Sequence, residues 1–597
     1  MDKITRKDVL LQVTNPDKKA VIYRDEAVSY AELRSGVVAL SNELKKLNIG
    51  NDDLVAIYMS NSIDMVISVF AVMNCNAAVL PINIDLPCDQ ISFIISESKP
   101  KVILHTGGIE NTYHTENTAS YCVNYKKLIK NNFEEELFFS FSSSDLAYCI
   151  FTSGSSGRPK GVLLTYEGIL NHTEAKINLL NLTSQSRLCL SFNIGFVASI
   201  WQIIAPLLIG AQLFIYENDL IKNPYRLFQQ LERDEIDAVS MIPQALYAYC
   251  HYFGSRHEKL SLPKMKHIIL TGEKVDKLVV NKFYEKYSHI SLINAYGQSE
   301  CSDDTFHYKI PQNVTNEEIP IGKPVQHILY RILDENLNDV SIGEKGELYI
   351  GGICLAKSYL NNKTLTKEKF IKISGDVFFR TGDIAISKQN QDVVYLGRAD
   401  NQLKIRGYLV EAEEVEAHLH EIPGIEQTVV LAKKSNEMEQ ILYAYYTSGD
   451  FIDPENIFDY LAPKLPTYMI PTVFKRVKYF LLNPNGKVDR KRIVECEEVK
   501  RDENSSDKAP VLSDESITVI QKRAFDVIVS NVREETSASV TLDSDFNSIG
   551  INSIAFIRTV VALESEFDFE FDDEKLQISE FPTIKSMTEY VASKIKD

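Results

Sequence analysis

Ten residues, Thr152-Ser-Gly-Ser-Ser-Gly-Arg-Pro-Lys-Gly161, follow the apolar run Leu146 to Phe151. Glycines let backbone N–H groups approach an anion closely, and hydroxyls and a lysine add hydrogen bonds and charge. Thr152, Ser153, Gly154, Ser155, Ser156, Gly157 and Lys160 therefore read as a phosphate cradle after a strand. The spacing is not the Walker pattern, which needs Gly-x-x-x-x-Gly-Lys-Ser/Thr. A second candidate is Ser553, at the start of a stretch whose apolar positions Ile554, Ile557, Val560 and Val561 recur at helical spacing. A serine there can cap the helix or carry a phosphodiester, which a helix N-terminus favours electrostatically.

Elements to position these groups are legible around them. Up to about residue 400, strand-like runs such as Leu54–Tyr58, Ala77–Leu80 and Lys101–Leu104 alternate with helical patterns such as Met65–Met73. That alternation predicts an α/β architecture with much parallel sheet. A Lys-, Asp-, Glu- and Ser-rich stretch, Glu497–Asp514, reads as a linker. The 515–597 segment is helical in pattern, and its acidic side chains outnumber the basic ones two to one.

Composition narrows the partners. The 597 residues are 44% hydrophobic and 24% charged, with a net charge of −18, so nucleic acid is disfavoured as a partner. The nine cysteines form no Cys-x-x-Cys pair, so neither a zinc cluster nor a disulfide framework is suggested, and a reduced cytoplasm fits. The apolar stretch Met65–Ile82 contains Ser68, Asn74 and Asn76, and reads as a buried helix and strand, not a membrane span.

Seven motifs in order carry a resemblance to the adenylate-forming enzymes, above all to adenylation domains of nonribosomal peptide synthetases. Val28-Ser-Tyr-Ala-Glu-Leu33 is the first, and the second is Asn294-Ala-Tyr-Gly-Gln-Ser-Glu300, with Gln298-Ser299 in place of the usual Pro-Thr. Gly346–Ile350, Arg380-Thr-Gly-Asp383 and Gly397–Gly407 follow. Leu465–Pro471 and Asn485-Gly-Lys-Val-Asp-Arg490 complete the series. The resemblance implies a large α/β subdomain over 1–399 and a small mobile α+β subdomain over 400–498. A linker over 499–514 and a helical-bundle carrier domain over 515–597 would follow.

It also implies two half-reactions. A carboxylate attacks the α-phosphate of ATP to give an acyl-adenylate and pyrophosphate, and a thiol then takes the acyl group. By resemblance, Tyr296 stacks on adenine, Asn294 reads its amino group, and Ser299, Tyr395 and Arg398 lie along the nucleotide. Asp383 accepts the ribose hydroxyls, and Glu300 holds Mg²⁺, a hard cation that prefers oxygen. Lys487 is the adenylation lysine, Lys404 belongs to a second basic motif, and Asp400 is the hinge between the subdomains. Ser553 carries a 4′-phosphopantetheine arm, which implies a phosphopantetheinyl transferase and a downstream synthetase or tailoring protein as partners. Asn552 departs from the His or Asp usual before this serine.

The acid pocket, aligned without a gap through Phe196–Trp201, comprises Val197, Ala198, Trp201, Ser240, Ile269, Thr271, Ala295, Asp303 and Asp304. Enzymes for α-amino acids place Asp where Val197 stands, and a buried ammonium without a counter-charge is costly. A β-amino acid such as β-alanine, with its ammonium at Asp303 or Asp304, fits the pattern. The alternatives are an amine-free hydroxy, keto or aryl acid, an acyl-CoA ligase with an unrelated tail, and a non-catalytic scaffold.

Overall fold

The computed structural model describes residues 15–107, 118–130, 141–153, 159–250, 260–314, 318–399, 402–405, 408–434, 440–449, 452–478, 480, 490–495, 519–531, 540–546, 549, 551, 553–567, 569, 571–572 and 575–595. The alternation of apolar runs resolves into two large sheets. The seven-stranded one has a parallel centre, in the order Leu146–Thr152, Ala78–Ile82, Leu54–Tyr58, Val102–His105, Ala119–Cys122. Lys160–Thr165 folds back antiparallel on Leu146–Thr152, so the glycine loop joins two adjacent strands.

The nine-stranded sheet is parallel from Lys19–Tyr23 through Gln212–Ile215, Arg187–Leu190, Ala238–Met241 and His267–Leu270 to Ser291–Gln298. It ends in an antiparallel hairpin, Ser291–Gln298 against Asp303–Lys309. The pairing slips between Tyr296 and Gly297. There a side chain at Gly297 would place its Cβ 1.8 Å from the Asp303 carbonyl oxygen, so only glycine permits this approach.

One apolar core joins the two sheets. Val21, Leu213 and Ile215 of one sheet and Val55, Ile57, Val79 and Tyr148 of the other belong to it, with the helices Ile63–Asn74 and Ser199–Leu208. Ser62 caps the first of these helices by accepting from the Met65 N–H at 3.2 Å. Every residue of that helix except Asp64 and Asn74 is buried, as the sequence predicts for Met65–Met73. Truncating its Phe70 to Ala would cost about 3–5 kcal/mol by the usual cavity arithmetic.

An antiparallel five-stranded sheet, built from Ile328–Leu333, Lys345–Gly352, Phe370–Ile373, Asp376–Ser387 and Val393–Arg398, completes the large unit. The hairpin Gln402–Ile405/Tyr408–Glu411 and a three-stranded sheet, Ile425–Lys434, Gln440–Ser448 and Val473–Arg476, form the small unit with helices Ala412–His420 and Pro454–Leu461. The C-terminal segment contains helices Val519–Asn531, Ser553–Phe567 and Ile584–Lys594. It rests on the large unit, where Asn223 caps helix Pro224–Arg233 and donates to the Leu576 carbonyl at 2.5 Å. Among the described residues, no helix is long and apolar enough to cross a membrane.

Candidate active site

A cavity of about 190 Å³ opens where the strand ends of both sheets meet. Thr152, Ser153 and Lys160 enter it from the glycine loop's two strands, and Gln298, Ser299, Glu300 and Asp303 from the hairpin of the other sheet. Val197, Thr271, Thr381 and Arg398 complete these walls. Gly154, Ser155, Ser156 and Gly157 lie outside the described residues, as do Asp400 and Lys487. Lys404 sits in the strand Gln402–Ile405, and Ser553 begins its helix as the sequence predicts.

The wall beside the glycine loop holds a hydroxyl, an ammonium and a carboxylate. The Thr152 hydroxyl is buried without a hydrogen bond among the described residues. Lys160 lies 3.1 Å from Glu300 and 5.0 Å from the centre of the Tyr359 ring, whose hydroxyl donates to Glu300 at 2.7 Å. Burial works to raise the Glu300 carboxyl, but Lys160 and Tyr359 outweigh it and hold the group below its ordinary value. Glu300 is thus ionised, as a hard-cation ligand must be.

Further along the wall, Asp383 is wholly buried. Tyr296 and Gln298 both donate to its Oδ2, Gln298 at 2.7 Å, and Arg398 donates to its Oδ1 at 3.0 Å. Arg398 also reaches the Thr381 carbonyl at 2.9 Å. The Tyr296 ring packs edge-on to Phe306 and tilts toward Tyr395, 6.1 Å away. Asn294, predicted to read adenine, gives its amide N–H to the Pro320 carbonyl at 2.7 Å.

The acid side differs from its expectation. Of the nine predicted residues, Val197, Thr271 and Asp303 line the cavity. Ala198, Trp201, Ser240, Ile269, Ala295 and Asp304 are buried, with Trp201, Ile269 and Ala295 in one small core behind it. Asp304 is not an open carboxylate. The fully buried Lys176 ion-pairs with its Oδ2 and lies 5.4 Å from the centre of the Trp201 ring. Thr271 donates to its Oδ1 at 3.0 Å, and His307 stands 3.7 Å away. Burial opposes ionisation of Asp304, but Lys176 overrides it and holds the carboxyl far below its ordinary value.

Asp303 is the acid that faces the cavity. The His172 Nδ1 meets the Asp304 carbonyl at 3.3 Å, so that nitrogen carries its hydrogen. Its Nε2 is 2.9 Å from Asp303 Oδ2, yet the two are not aligned, and both atoms are buried without a hydrogen bond among the described residues. Burial and the Asp304 charge push the Asp303 carboxyl above its ordinary value. The backbone at Asp303 adopts φ 103°, a strained conformation for a residue with a side chain. His172, Asp303 and Asp304 offer ligand atoms within 4.8 Å of one another, and the Lys176 ammonium is the cation in this cluster.

Sequence reasoning missed Lys176 and His172. Both lie on one face of helix Tyr166–Leu179, four residues apart. A lysine three and seven residues past Thr173 and Ile169, on that helix's buried face, was the available signal. Tyr408 was also missed. It comes from the small unit, sets its ring 5.5 Å from Phe196 at 80°, stacks on Tyr468 at 3.8 Å, and walls the cavity with Glu414 and Met469.

Comparison with known proteins adds to this geometry. The family model described as AMP-binding enzyme matches residues 12–360, and the one described as phosphopantetheine attachment site matches 526–591. The chain is 31% identical to tyrocidine synthase 1 of Brevibacillus parabrevis over 584 residues, 97% of this chain and 52% of that protein. It is 31% identical to zwittermicin A synthase ZmaJ of Bacillus cereus over 484 residues, 80% of this chain and 92% of that protein. The chain spans about half the length of the first curated relatives it matches. Among solved structures, holo-PA1221, a nonribosomal peptide synthetase protein with adenylation and carrier domains bound to a vinylsulfonamide inhibitor, superposes with a TM-score of 0.78 at 19% identity, over 96% of this chain and 94% of the other. The artificially fused NpsA-ThdA adenylation–carrier didomain from Klebsiella oxytoca gives 0.67 at 25% identity, over 77% and 90%.

Proposed function

Because the chain belongs to the AMP-binding enzyme family and has a phosphopantetheine attachment domain behind it, we propose that it adenylates a small carboxylic acid and loads it onto its own carrier. The observation that carries this reading is the single cavity onto which Thr152, Lys160 and Glu300 open beside Val197 and Asp303. Phosphates and acid would lie side by side there, and in-line transfer at phosphorus asks mainly for positioning and charge neutralisation. Glu300 would hold Mg²⁺, which when bound screens the charge of the phosphates. The residues of this chain do the rest. Thr152 and Lys160 would bind phosphate oxygens, Tyr296 and Tyr395 would flank the base, and Lys487 would neutralise charge gathered between carboxylate and α-phosphate.

The functional division falls at Asp400, the hinge. Tyr408, just after it, walls the cavity against Phe196, an orientation suited to the second half-reaction. The thiol of a phosphopantetheine arm on Ser553 would attack the acyl carbonyl, lose its proton, and release AMP. A phosphopantetheinyl transferase must supply the arm, and a further synthetase or tailoring protein must take the thioester. The free cysteines among the described residues suit a reduced cytoplasm.

For the acid itself we propose a substrate with its ammonium beyond the α-carbon, β-alanine or a near relative. Val197 offers no charge where an α-ammonium would sit, and Asp303, whose Oδ2 is 2.9 Å from His172 and makes no hydrogen bond among the described residues, offers a carboxylate elsewhere in the cavity wall. Asp304, committed to Lys176, leaves that role to Asp303.

Pyrophosphate exchange across β-alanine, L-alanine, lactate, pyruvate and aryl acids tests the reading, with β-alanine expected to lead. Lys487→Ala should lower exchange by about 10²–10³ in a folded protein. Ser553→Ala should keep exchange and lose covalent loading by mass spectrometry. Release of acyl-CoA from free coenzyme A without carrier loading would replace this proposal by an acyl-CoA ligase.

A further inference from the structure

We propose that Tyr359 is a positioning residue that holds Glu300 in place for the metal ion and Lys160 in place for the phosphates. The inference rests on the ATP-binding reading above and adds a residue that belongs to none of the ordered motifs. Tyr359 lies on the two-residue strand Ser358–Tyr359, at the edge of the seven-stranded sheet. That strand runs antiparallel to Lys160–Thr165, with Tyr359 opposite Val162.

The segment around Tyr359 ties together the two elements that bear the functional groups. The Ala356 N–H donates to the Glu300 carbonyl at 2.8 Å, which fixes the turn of the nine-stranded sheet. The Lys357 and Leu360 N–H groups donate to the Leu163 and Gly161 carbonyls, each at 2.8 Å, which fixes the strand that begins at Lys160. Between these anchors the Tyr359 hydroxyl donates to Glu300 Oε1 at 2.7 Å, and its ring centre lies 5.0 Å from the Lys160 ammonium. The ring is buried and packs at 65° to Phe370, 5.8 Å away, so the hydroxyl has no room to swing aside.

The two donors on Glu300 differ in what a nucleotide does to them. Lys160 meets the same Oε1 at 3.1 Å, but as a cation it is drawn to any phosphate chain that enters. The Tyr359 hydroxyl is neutral and stays where it is. It keeps the carboxylate from turning and uses only one of its acceptor positions, which leaves the others for a hard cation. An outer hydrogen bond of this kind orients a ligand before the metal arrives.

The test reads metal and nucleotide separately. Electron paramagnetic resonance of free Mn²⁺, with the full chain in excess over α,β-methylene-ATP, gives the metal affinity without turnover. Calorimetry with the same analogue in EDTA gives nucleotide binding without metal. Tyr359→Phe keeps the ring beside Lys160 and removes the hydroxyl. It should weaken Mn²⁺ by about tenfold, in the range usual for losing an outer partner of a metal ligand, and leave metal-free binding unchanged. On a Glu300→Gln background the same change should add nothing, because both substitutions remove one interaction. Raised Mg²⁺ should restore pyrophosphate exchange to Tyr359→Phe and not to Glu300→Gln. The inference is overturned if Tyr359→Phe binds Mn²⁺ like wild type, or loses metal-free nucleotide in equal measure. It is overturned too if the urea midpoint falls as far on the Glu300→Gln background as in wild type, since the tyrosine would then only hold the fold. If wild type binds the analogue without tightening on Mn²⁺, the inference falls and the ATP reading stands. If wild type binds no analogue at all, both fall.

Discussion

Two buried carboxylate centres flank the cavity, and their charge balances differ. At Asp383 one carboxylate meets one guanidinium, Arg398, with Tyr296 and Gln298 as neutral donors. Every oxygen has a partner before any ligand arrives. At Asp303 and Asp304 two carboxylates meet one ammonium, Lys176, and Asp303 keeps an oxygen without a hydrogen bond. The first centre is finished by the protein. The second leaves Asp303 Oδ2 without a hydrogen bond, with His172 Nε2 2.9 Å away, and that oxygen is the one an entering cation could meet. A fully bonded site suits an invariant ligand, and one with an unbonded oxygen suits a ligand that varies.

The contrast breaks most visibly at Lys176. Lys176→Met should leave Asp304 charged and unpaired in the interior, destabilising the protein by about 3–5 kcal/mol in urea unfolding. Adding Asp304→Leu should recover most of that loss, because removing both charges is far milder than removing one. An unchanged midpoint in Lys176→Met would mean that the pair is not buried in solution.

Asp303→Asn sharpens the comparison at the ligand. For β-alanine kcat/KM should fall on the order of 10²-fold, whereas an amine-free acid of similar size should be little affected. Equal losses for both acids would show that Asp303 holds the fold of the hairpin and not the substrate.

The smallest effect is one of pH. Burial and the nearby Lys176 depress the His307 imidazolium to about 4. Below its ordinary value near 6.5 the unfolded chain takes up this proton and the folded one does not, so stability should fall as pH drops from 6.5 toward 4. For one proton the slope is at most about 1.4 kcal/mol per pH unit. His307→Gln should flatten it, measured as the urea midpoint across that window. An identical slope in the variant would assign the proton elsewhere.

How much was legible in the sequence follows the range of the interactions. The strand before the glycine loop and the buried helix Ile63–Asn74 were readable because local periodicity encodes them. Residues that the ordered motifs singled out, Lys160, Glu300 and Ser299, converge on one cavity. Asp304 was visible as an acid in the pocket alignment, but its partner Lys176 lies 128 residues away on a helix outside every motif. The engagement of Asp383 by Gln298, 85 residues distant, was hidden for the same reason. Sequence pattern shows which groups are present, and only packing decides which of them are already paired.

The hairpin Ser291–Gln298/Asp303–Lys309 has a consequence for how such a protein can diversify. Its turn brings Gln298, Ser299, Glu300 and Asp303 to the cavity wall and sets Asp304 against Lys176 behind it, within seven consecutive positions. The Gly297 approach fixes the two strands in one register. An inserted or deleted residue here would rotate alternate side chains to the opposite face and disable both ligands at once. New acids must therefore be reached by exchanging side chains at constant length, with Lys176 and His172 on the neighbouring helix free to change in step. Families of descendants from such a scaffold would vary in the chemistry of this turn and hardly at all in its length.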